Sequence, residues 1–280
     1  MLLGLGRSLL GRKKSSAWSP ENLSSLAAWY KADSISQSDN TDVTTWTDSS
    51  GNGYDLTGYG TLPKFRTVQL GYAPLPIIRF GGAGYLSRTA WSGYPSNNSA
   101  KTVAAVFKAN SGTASYYVTA GTVGQRRQDL VRMANDSATS FVPRGRILLR
   151  DEFGNFEYCD GGTTITNGQF PDGFHIYIAG NDSSTVPFIR LDGTSETLTF
   201  GGGYTDLSMT DSTPETFSIG GYSDGQFPLA NRQEVCEVVF CDDSLSIGDR
   251  EKLEGYLAHR WDLSVKLPIN HPYKSKPPYA

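Results

Sequence analysis

Glu234 and Glu237 lie within the apolar stretch 233–242 and are the acidic residues spaced most like a catalytic pair. Retaining glycoside hydrolases place two carboxylates about 5–5.5 Å apart on either side of the scissile bond. Successive side chains of a regular strand alternate between faces, so residues three apart point to opposite faces. A third acid does not follow at the spacing that such strand motifs use. We therefore predict that this pair is not catalytic and that the protein is not an enzyme.

A tight glycine turn carries a second set of oxygen side chains, in the sequence DSSGNGYD at 48–55. Asp48, Asn52 and Asp55 are candidate calcium ligands, because Ca²⁺ takes carboxylate and amide oxygens. The turn lacks the bidentate glutamate that ends an EF-hand, and turns of this composition also form through Asx hydrogen bonds alone. The Cys and His spacings match no zinc site. We therefore expect a plain hydrogen-bonded turn and no cofactor, with calcium as the alternative.

A loop rich in Gly, Pro, Ser and Asn carries aromatic rings beside amides: Trp91, Tyr94, Asn97 and Asn98. Ring faces and amide groups are the side chains that sugars contact, so we predict that this loop binds glycans. The alternative is that the rings pack against the edge of the fold. Trp29, Trp46 and Trp261 lie within regular elements and are expected in the core.

Residues 1–17 differ from the rest of the chain. Leucines alternate with glycines and are followed by basic residues, while acidic residues are absent from this stretch. The residues expected to matter are Leu2, Leu3, Leu5, Arg7, Leu9, Leu10, Arg12, Lys13 and Lys14. The basic cluster follows the apolar part, which is not the order of a signal peptide. We predict an extended arm that anchors the protein to a partner; a disordered terminus is the alternative.

The overall composition excludes several classes of partner. The formal net charge is −3 for 280 residues, which gives no drive toward nucleic acid or membranes. An apolar stretch long enough to span a bilayer is missing. Cys236 and Cys241 lie about 16 Å apart on one expected strand and cannot bridge each other. With Cys159 they make an odd count, which is typical of a protein made in a reducing cytosol.

From Leu23 onward the chain reads as short strands separated by turns, an order that favours an antiparallel sandwich. The expected strands are 26–33, 42–48, 75–82, 101–109, 115–121, 146–153, 174–181, 186–193, 215–222 and 233–242. In 174–181, Phe174, Ile176 and Ile178 alternate with polar residues, which predicts a strand with one face on the core.

One helix is expected near the end of the chain. Ser246 can cap its N-terminus, and Asp249 three residues later completes a capping box. Leu253, Leu257 and Trp261 then share one face at helical spacing. We predict one domain over 18–280, preceded by the arm 1–17.

Two parts of the chain resemble the concanavalin A-like, laminin-G-like jelly-roll superfamily. The first comprises LSSLAAWYKADSI (23–35), VTTWTDSSGNGYDLT (43–57) and IIRFGGAGYL (77–86). The second, 236–278, is more specific and contains EGYLAHRW and LPINHPYK. The resemblance implies an all-β, two-sheet antiparallel jelly-roll sandwich with one C-terminal α-helix and an extended N-terminal arm. It also implies binding or structural roles more often than catalysis.

Modules of this superfamily occur in secreted bacterial proteins and in virion proteins of tailed phages. The short Leu/Gly-rich, basic start without a secretion signal is more similar to the phage case. The leading hypothesis is a structural protein of a tailed-phage particle, assembled in the host cytoplasm. We expect a homo-oligomer that contacts other virion proteins and host or environmental glycans. A bacterial carbohydrate-binding module is the alternative, and a glycoside hydrolase or lyase is disfavoured.

Overall fold

The computed structural model of the protein describes residues 17–70, 73–91, 95, 99–108, 115–122, 125–134, 144–150, 156–165, 173–201, 216–222 and 233–279. The strands are β1 (Leu26–Lys31), β2 (Thr45–Trp46), β3 (Leu56–Tyr59), β4 (Lys64–Leu70), β5 (Ala73–Phe80), β6 (Tyr85–Arg88), β7 (Lys101–Lys108), β8 (Ser115–Thr122), β9 (Gln125–Ala134), β10 (Arg144–Arg150), β11 (Phe156–Asp160), β12 (Phe174–Asn181), β13 (Pro187–Leu191), β14 (Thr194–Ser195), β15 (Thr199–Gly201), β16 (Phe217–Ile219) and β17 (Gln233–Cys241). The helix α1 spans Ile247–Arg260, and short 3₁₀ turns span Pro20–Asn22, Ala32–Ser34 and Ser264–Lys266.

These strands form two antiparallel sheets. Sheet A has the order β14-β13-β12-β7-β17-β5-β4, and β1 also pairs with β17. Sheet B has the order β15-β11-β10-β9-β8-β16-β6-β3-β2. The pairing of β1 with β17 joins the two parts of the chain that carry the family resemblance. The all-β, two-sheet antiparallel jelly-roll prediction is confirmed.

Aromatic rings join the two sheets at the core. Phe107 of sheet A and Tyr117 of sheet B have ring centroids 4.3 Å apart. Phe240 and Phe217 meet in the same way at 5.5 Å. The core positions predicted for three tryptophans are confirmed, since all are buried: Trp29, Trp46 and Trp261.

Strand β12 is buried on both faces, so the prediction of a half-exposed strand was wrong. Every residue of β12 is buried. Tyr177 points toward sheet B, where a Cβ at Gly145 would lie 2.4 Å from its ring. Phe174, Ile176 and Ile178 alternate with Tyr177 and therefore lie on the opposite face, against which α1 packs. Sequence periodicity did not predict that the second face is buried, because α1, which packs on it, lies far from β12 along the chain.

The helix α1 begins and packs as predicted. Ser246 Oγ accepts a hydrogen bond from Asp249 N at 3.1 Å, which satisfies one of the unpaired N–H groups of the first turn. Leu253, Leu257 and Trp261 are all buried in the core cluster. Among the described residues, no helix has the length and apolar composition needed to cross a membrane.

A buried ion cluster fixes the helix to the chain that follows it. Arg190 of β13 donates from Nε and Nη2 to the Glu254 carboxylate at 2.6 and 2.9 Å. His271 Nε2 lies 3.1 Å from the same carboxylate. Glu254 and His271 belong to the EGYLAHRW and LPINHPYK segments, so this contact gives a physical reason for their co-occurrence.

The described chain begins beside its own C-terminal segment. Ala17 forms a β-bridge with Tyr279, and Trp18 N donates to Pro278 O at 3.3 Å. The Trp18 ring packs edge-on against Tyr256 of α1, with centroids 6.1 Å apart. Leu2, Leu3, Leu5, Arg7, Leu9, Leu10, Arg12, Lys13 and Lys14 of the predicted arm lie outside the described residues.

Candidate functional site

A cavity of about 260 Å³ opens at the end of the sandwich where β17 stops and β1 begins. It brings together four parts of the chain: the start of β1, the 48–55 turn, the segment that follows β6, and the end of β17. Its described lining residues are Leu26, Ala27, Asn52, Tyr54, Trp91, Pro95, Phe240 and Asp242. The cavity thus unites a residue from the predicted calcium turn with a residue from the predicted glycan loop. We call it the Asn52–Asp242 cavity.

The turn that carries Asn52 is clamped onto β1. Gly51 and Gly53 have φ of +88° and +76°, a conformation that favours glycine. Asn52 Nδ2 donates to the carbonyl oxygens of Leu26 and Ala27, both at 3.0 Å. With the amide nitrogen held on β1, Asn52 Oδ1 is the atom left to accept a hydrogen bond from a ligand. The amide is therefore fixed in place before any ligand arrives.

The aromatic part of the cavity is a stacked pair. Trp91 and Tyr54 have ring centroids 4.1 Å apart and planes inclined by 23°. Trp91 also packs edge-on against Phe217 and Phe240, and it is only 3% exposed. The prediction that Trp91 offers a free ring face to a sugar was therefore wrong. Trp91 packs between the core rings and Tyr54, and Tyr54 is half-buried at the wall of the cavity.

The other predicted glycan residues, Tyr94, Asn97 and Asn98, lie outside the described residues. Pro95, which lies between them in sequence, lines the cavity. Asn181 Nδ2 and Lys101 Nζ both donate to Ser99 O, at 2.9 and 2.7 Å. These contacts tie the far end of the loop to β7 and β12.

The polar side of the cavity holds an amide and a carboxylate, because Asn52 and Asp242 are both exposed. Asp242 N donates to Ser25 O at 3.0 Å, which fixes the backbone where β17 ends. A carboxylate and an amide oxygen are good acceptors for hydroxyl groups. Sequence reasoning missed Asp242, since a single acid after a strand carries no local signal.

The oxygen side chains of the 48–55 turn do not fit a calcium site. Asp48 accepts four hydrogen bonds: from Trp29 N at 2.9 Å, Ser50 N at 2.8 Å, Ser50 Oγ at 2.7 Å and Tyr54 N at 3.0 Å. Asp55 Oδ1 accepts from Asp48 N at 2.8 Å. These donors occupy the lone pairs that a cation would need, so the hydrogen-bonded turn is the better interpretation. Within the described residues, no group of three or more His, Cys, Asp or Glu is placed to hold a metal ion.

Glu234 and Glu237 point to the same face of sheet A, which corrects the prediction of opposite faces. In the pairing with β7, Glu234 lies opposite Lys108 and Glu237 lies opposite Val106, with a register shift after Val235. Lys108 and Val106 are two residues apart and share a face. A β-bulge therefore inserts one extra residue and turns Glu237 to the side of Glu234. The prediction assumed a regular strand.

Glu237 is nevertheless enclosed by donors. Trp29 Nε1 and Tyr256 OH donate to Oε1 at 2.5 and 3.1 Å, and Trp261 Nε1 donates to Oε2 at 2.6 Å. Arg260 Nε lies 3.1 Å from Oε2. Burial raises the pKa of Glu237, and this effect exceeds the lowering by Arg260 and the three neutral donors. The carboxylate connects β17, β1 and α1.

Glu234 is held by cations. Arg79 donates to Oε1 from Nε at 2.8 Å and from Nη2 at 2.5 Å. Lys108 Nζ lies 3.9 Å from Oε2, and the Glu234 side chain is only 4% exposed. The two glutamates thus share a face but have separate structural partners.

Comparison with known families finds no matching family model, and no curated protein matches. Solved structures do match. Domain 4 of AbnA, an extracellular arabinanase from Geobacillus stearothermophilus in complex with arabinotriose, has a TM-score of 0.53 at 14% identity. The match covers 82% of this chain and 98% of that domain.

A second group of similar structures comes from toxins. The receptor-binding domain of the botulinum neurotoxin C/D mosaic serotype has a TM-score of 0.51 at 11% identity, over 82% of this chain and 51% of that one. The receptor-binding domain of botulinum neurotoxin D has a TM-score of 0.50 at 11% identity, over 84% and 53%. This chain therefore spans about half of each toxin structure. At these identities the likeness shows a shared β-sandwich fold.

Proposed function

We propose that this protein is a non-enzymatic, lectin-like β-sandwich that binds glycans in the Asn52–Asp242 cavity. The observation that carries the proposal is the convergence of an exposed amide and an exposed carboxylate beside the half-buried Tyr54, which stacks on the buried Trp91. Sugar hydroxyls pair with such acceptors, and a rigid aromatic floor excludes water beneath the ligand. Domain 4 of AbnA, whose structure contains arabinotriose, has the same fold.

Two neighbouring aspartates allow a matched test of this site. Asp242 lines the cavity, whereas Asp243 Oδ1 accepts a local hydrogen bond from Ser244 N at 2.7 Å. Both aspartates are exposed, so neither replacement is expected to affect folding by more than about 0.5 kcal/mol.

The experiment is a glycan array with the wild type, followed by titration of the strongest ligand. Asp242→Ala should weaken binding by roughly tenfold or more, because a hydrogen bond to a charged group is lost. Asp243→Ala should bind like the wild type. Equal affinities for all three proteins would refute the site, and an array without signal would refute glycan binding.

The biological setting we propose is a tailed-phage particle, in which residues 1–17 anchor the sandwich as one copy of a homo-oligomer among other virion proteins. Support comes from the leucine-rich, basic composition of this segment. The contacts of Ala17 with Tyr279 and of Trp18 with Tyr256 hold the root of the segment beside α1.

A chain shortened to begin at Ala17 tests this setting. It should melt like the full-length protein, since Ala17 and Trp18 keep their contacts, yet fail to enter particles. Incorporation at full occupancy would show that a face of the sandwich makes the attachment. A bacterial carbohydrate-binding module is the second candidate, favoured by the coverage of 98% of the AbnA domain. In that case the gene should lie away from capsid and tail genes.

A further inference from the structure

A second cavity, of about 430 Å³, opens over the outer face of sheet A near β4 and β5. Its basic lining residues are Lys64, Arg66 and Arg79, and Asn40 and Thr61 add polar groups to the wall. Among the described lining residues there are cations and no acids. We call this cavity the cation pocket.

The wall of the cation pocket is rigid. The turn around Thr61 rests on the turn at 81–84, where a Cβ at Gly84 would lie 1.6 Å from Thr61 O. On the other side, Asn40 N donates to Phe65 O at 2.8 Å, which fixes the segment beside β4. Both flanking turns are thus held by backbone contacts.

Two of the cations, Lys64 and Arg66, form ion pairs with exposed aspartates. Lys64 Nζ lies 2.7 Å from Asp42, with both side chains more than 40% exposed. Arg66 Nε lies 3.0 Å from Asp39 Oδ1. Exposed ion pairs of this kind add little to stability, so an incoming anion can compete for the same donors. A guanidinium and an ammonium also carry further N–H groups beyond the one that each pair uses.

The third cation belongs to a charged row that crosses sheet A. Lys64 lies opposite Arg79, Arg79 opposite Glu234, and Glu234 opposite Lys108 in successive strand pairings. Glu234 is the buried member, and it holds the Arg79 guanidinium in place. Each of the three pocket cations thus has one acidic partner, and Lys108 adds one further positive charge to the row.

We infer that the cation pocket binds a carboxylate- or sulfate-bearing sugar unit. Lys64, Arg66 and Arg79 supply N–H donors for the acid group, which is the pairing that charge-assisted hydrogen bonds favour. Asn40 and Thr61 supply polar groups for hydroxyls, and the volume suits a small ligand.

This site is separate from the Asn52–Asp242 cavity. Glu234 and Asp242 stand at opposite ends of β17, eight residues apart, which corresponds to roughly 20 Å or more along a strand. One sugar unit cannot reach both sites. The inference therefore stands or falls independently of the proposed function.

The test is calorimetric titration of the full chain with three oligosaccharides of two sugar units each, which are too short to reach both sites: a uronate oligomer, a heparin-derived oligomer and a neutral glucan. The first two distinguish carboxylate from sulfate as the preferred group. The double variant Lys64→Gln/Arg66→Gln should weaken binding of the preferred acidic oligomer by about tenfold or more. Lys252→Gln is the matched control, because Lys252 forms a comparable surface pair with Asp249 at 3.0 Å outside the pocket.

Lys252→Gln should leave acidic-oligomer binding unchanged, which shows that a loss in the double variant is specific to the pocket. The inference is overturned if the double variant binds like the wild type, or if Lys252→Gln weakens binding equally. It is also overturned if the neutral glucan binds as tightly as the acidic oligomers and loses affinity in the double variant.

Discussion

Two regions of β17 combine an acid with aromatic rings, and they differ in what those groups can reach. Glu237 lies under α1 and accepts from Trp29 and Trp261, so its oxygens are already paired. Asp242, just past the end of the same strand, is exposed beside Tyr54. The difference shows that residue type alone does not mark a site. The helix α1 covers Glu237 and leaves Asp242 exposed, so Asp242 is the acid that a ligand can reach.

The largest effect is expected where the buried acid is removed. Glu237→Ala would leave the indole N–H groups of Trp29 and Trp261 without their acceptor in a buried space, and it would leave Arg260 with Asp33 as its acidic partner. Breaking a buried charge pair in this way typically destabilises by about 3–5 kcal/mol. Denaturant unfolding should show this loss, and Glu237→Gln, which keeps one acceptor oxygen, should lose less. A Glu237→Ala variant as stable as the wild type would contradict the structural role of Glu237.

The packing of α1 against the sandwich can be weakened by truncating Leu257. This side chain is fully buried in the core cluster, and truncating such a leucine costs about 2–5 kcal/mol. Leu257→Ala should therefore lower the melting temperature clearly. Ile247→Ala is the control, since Ile247 is 67% exposed at the start of α1 and should change little. Similar melting temperatures for both variants would contradict the docking of α1.

Lys101 allows a pH-dependent test of the end of the loop that begins at Trp91, because Lys101 Nζ donates to Ser99 O. Burial lowers the pKa of Lys101 from 10.5 to about 7. Between these values the unfolded chain binds a proton that the folded chain does not, so stability gains up to about 1.4 kcal/mol per pH unit as pH rises. Lys101→Met lacks this gain. Unfolding at pH 7, 8 and 9 should show the wild type gaining on the variant, and parallel curves would contradict the buried placement.

The smallest effect is expected from metal removal. Asp48 is occupied by hydrogen bonds from backbone and hydroxyl donors, so the 48–55 turn closes without a cation. A chelator should leave both the melting temperature and glycan binding unchanged. A fall in melting temperature that calcium alone restores would show that the turn binds the ion.

Much of the fold could be predicted from local patterns. The cap at Ser246 and the apolar spacing located α1, and β12 was placed at its observed limits because its pattern is strong. The strand β9, Gln125–Ala134, was not predicted, because QRRQDLVRMA shows no clear alternation. The bulge that turns Glu237 depends on pairing with β7, which is distant in sequence.

The candidate site could be predicted only in pieces. Asn52 and Trp91 were each singled out for a different reason, calcium in one case and sugar stacking in the other. Their meeting in one cavity depends on how the turns pack at the end of the sandwich. The burial of Trp91 follows from Phe217 and Phe240, which come from both sheets. Contacts of this range leave no signal in a local stretch of sequence.

The central claim, that the open end binds glycans while the covered region is structural, is tested most directly by hydrogen–deuterium exchange. Exchange of the full chain would be compared with and without the strongest array ligand. We predict slower exchange at 48–55 and 240–243 and unchanged exchange in α1. Protection confined to α1, or unchanged exchange at 48–55 and 240–243 under saturating ligand, would contradict the account.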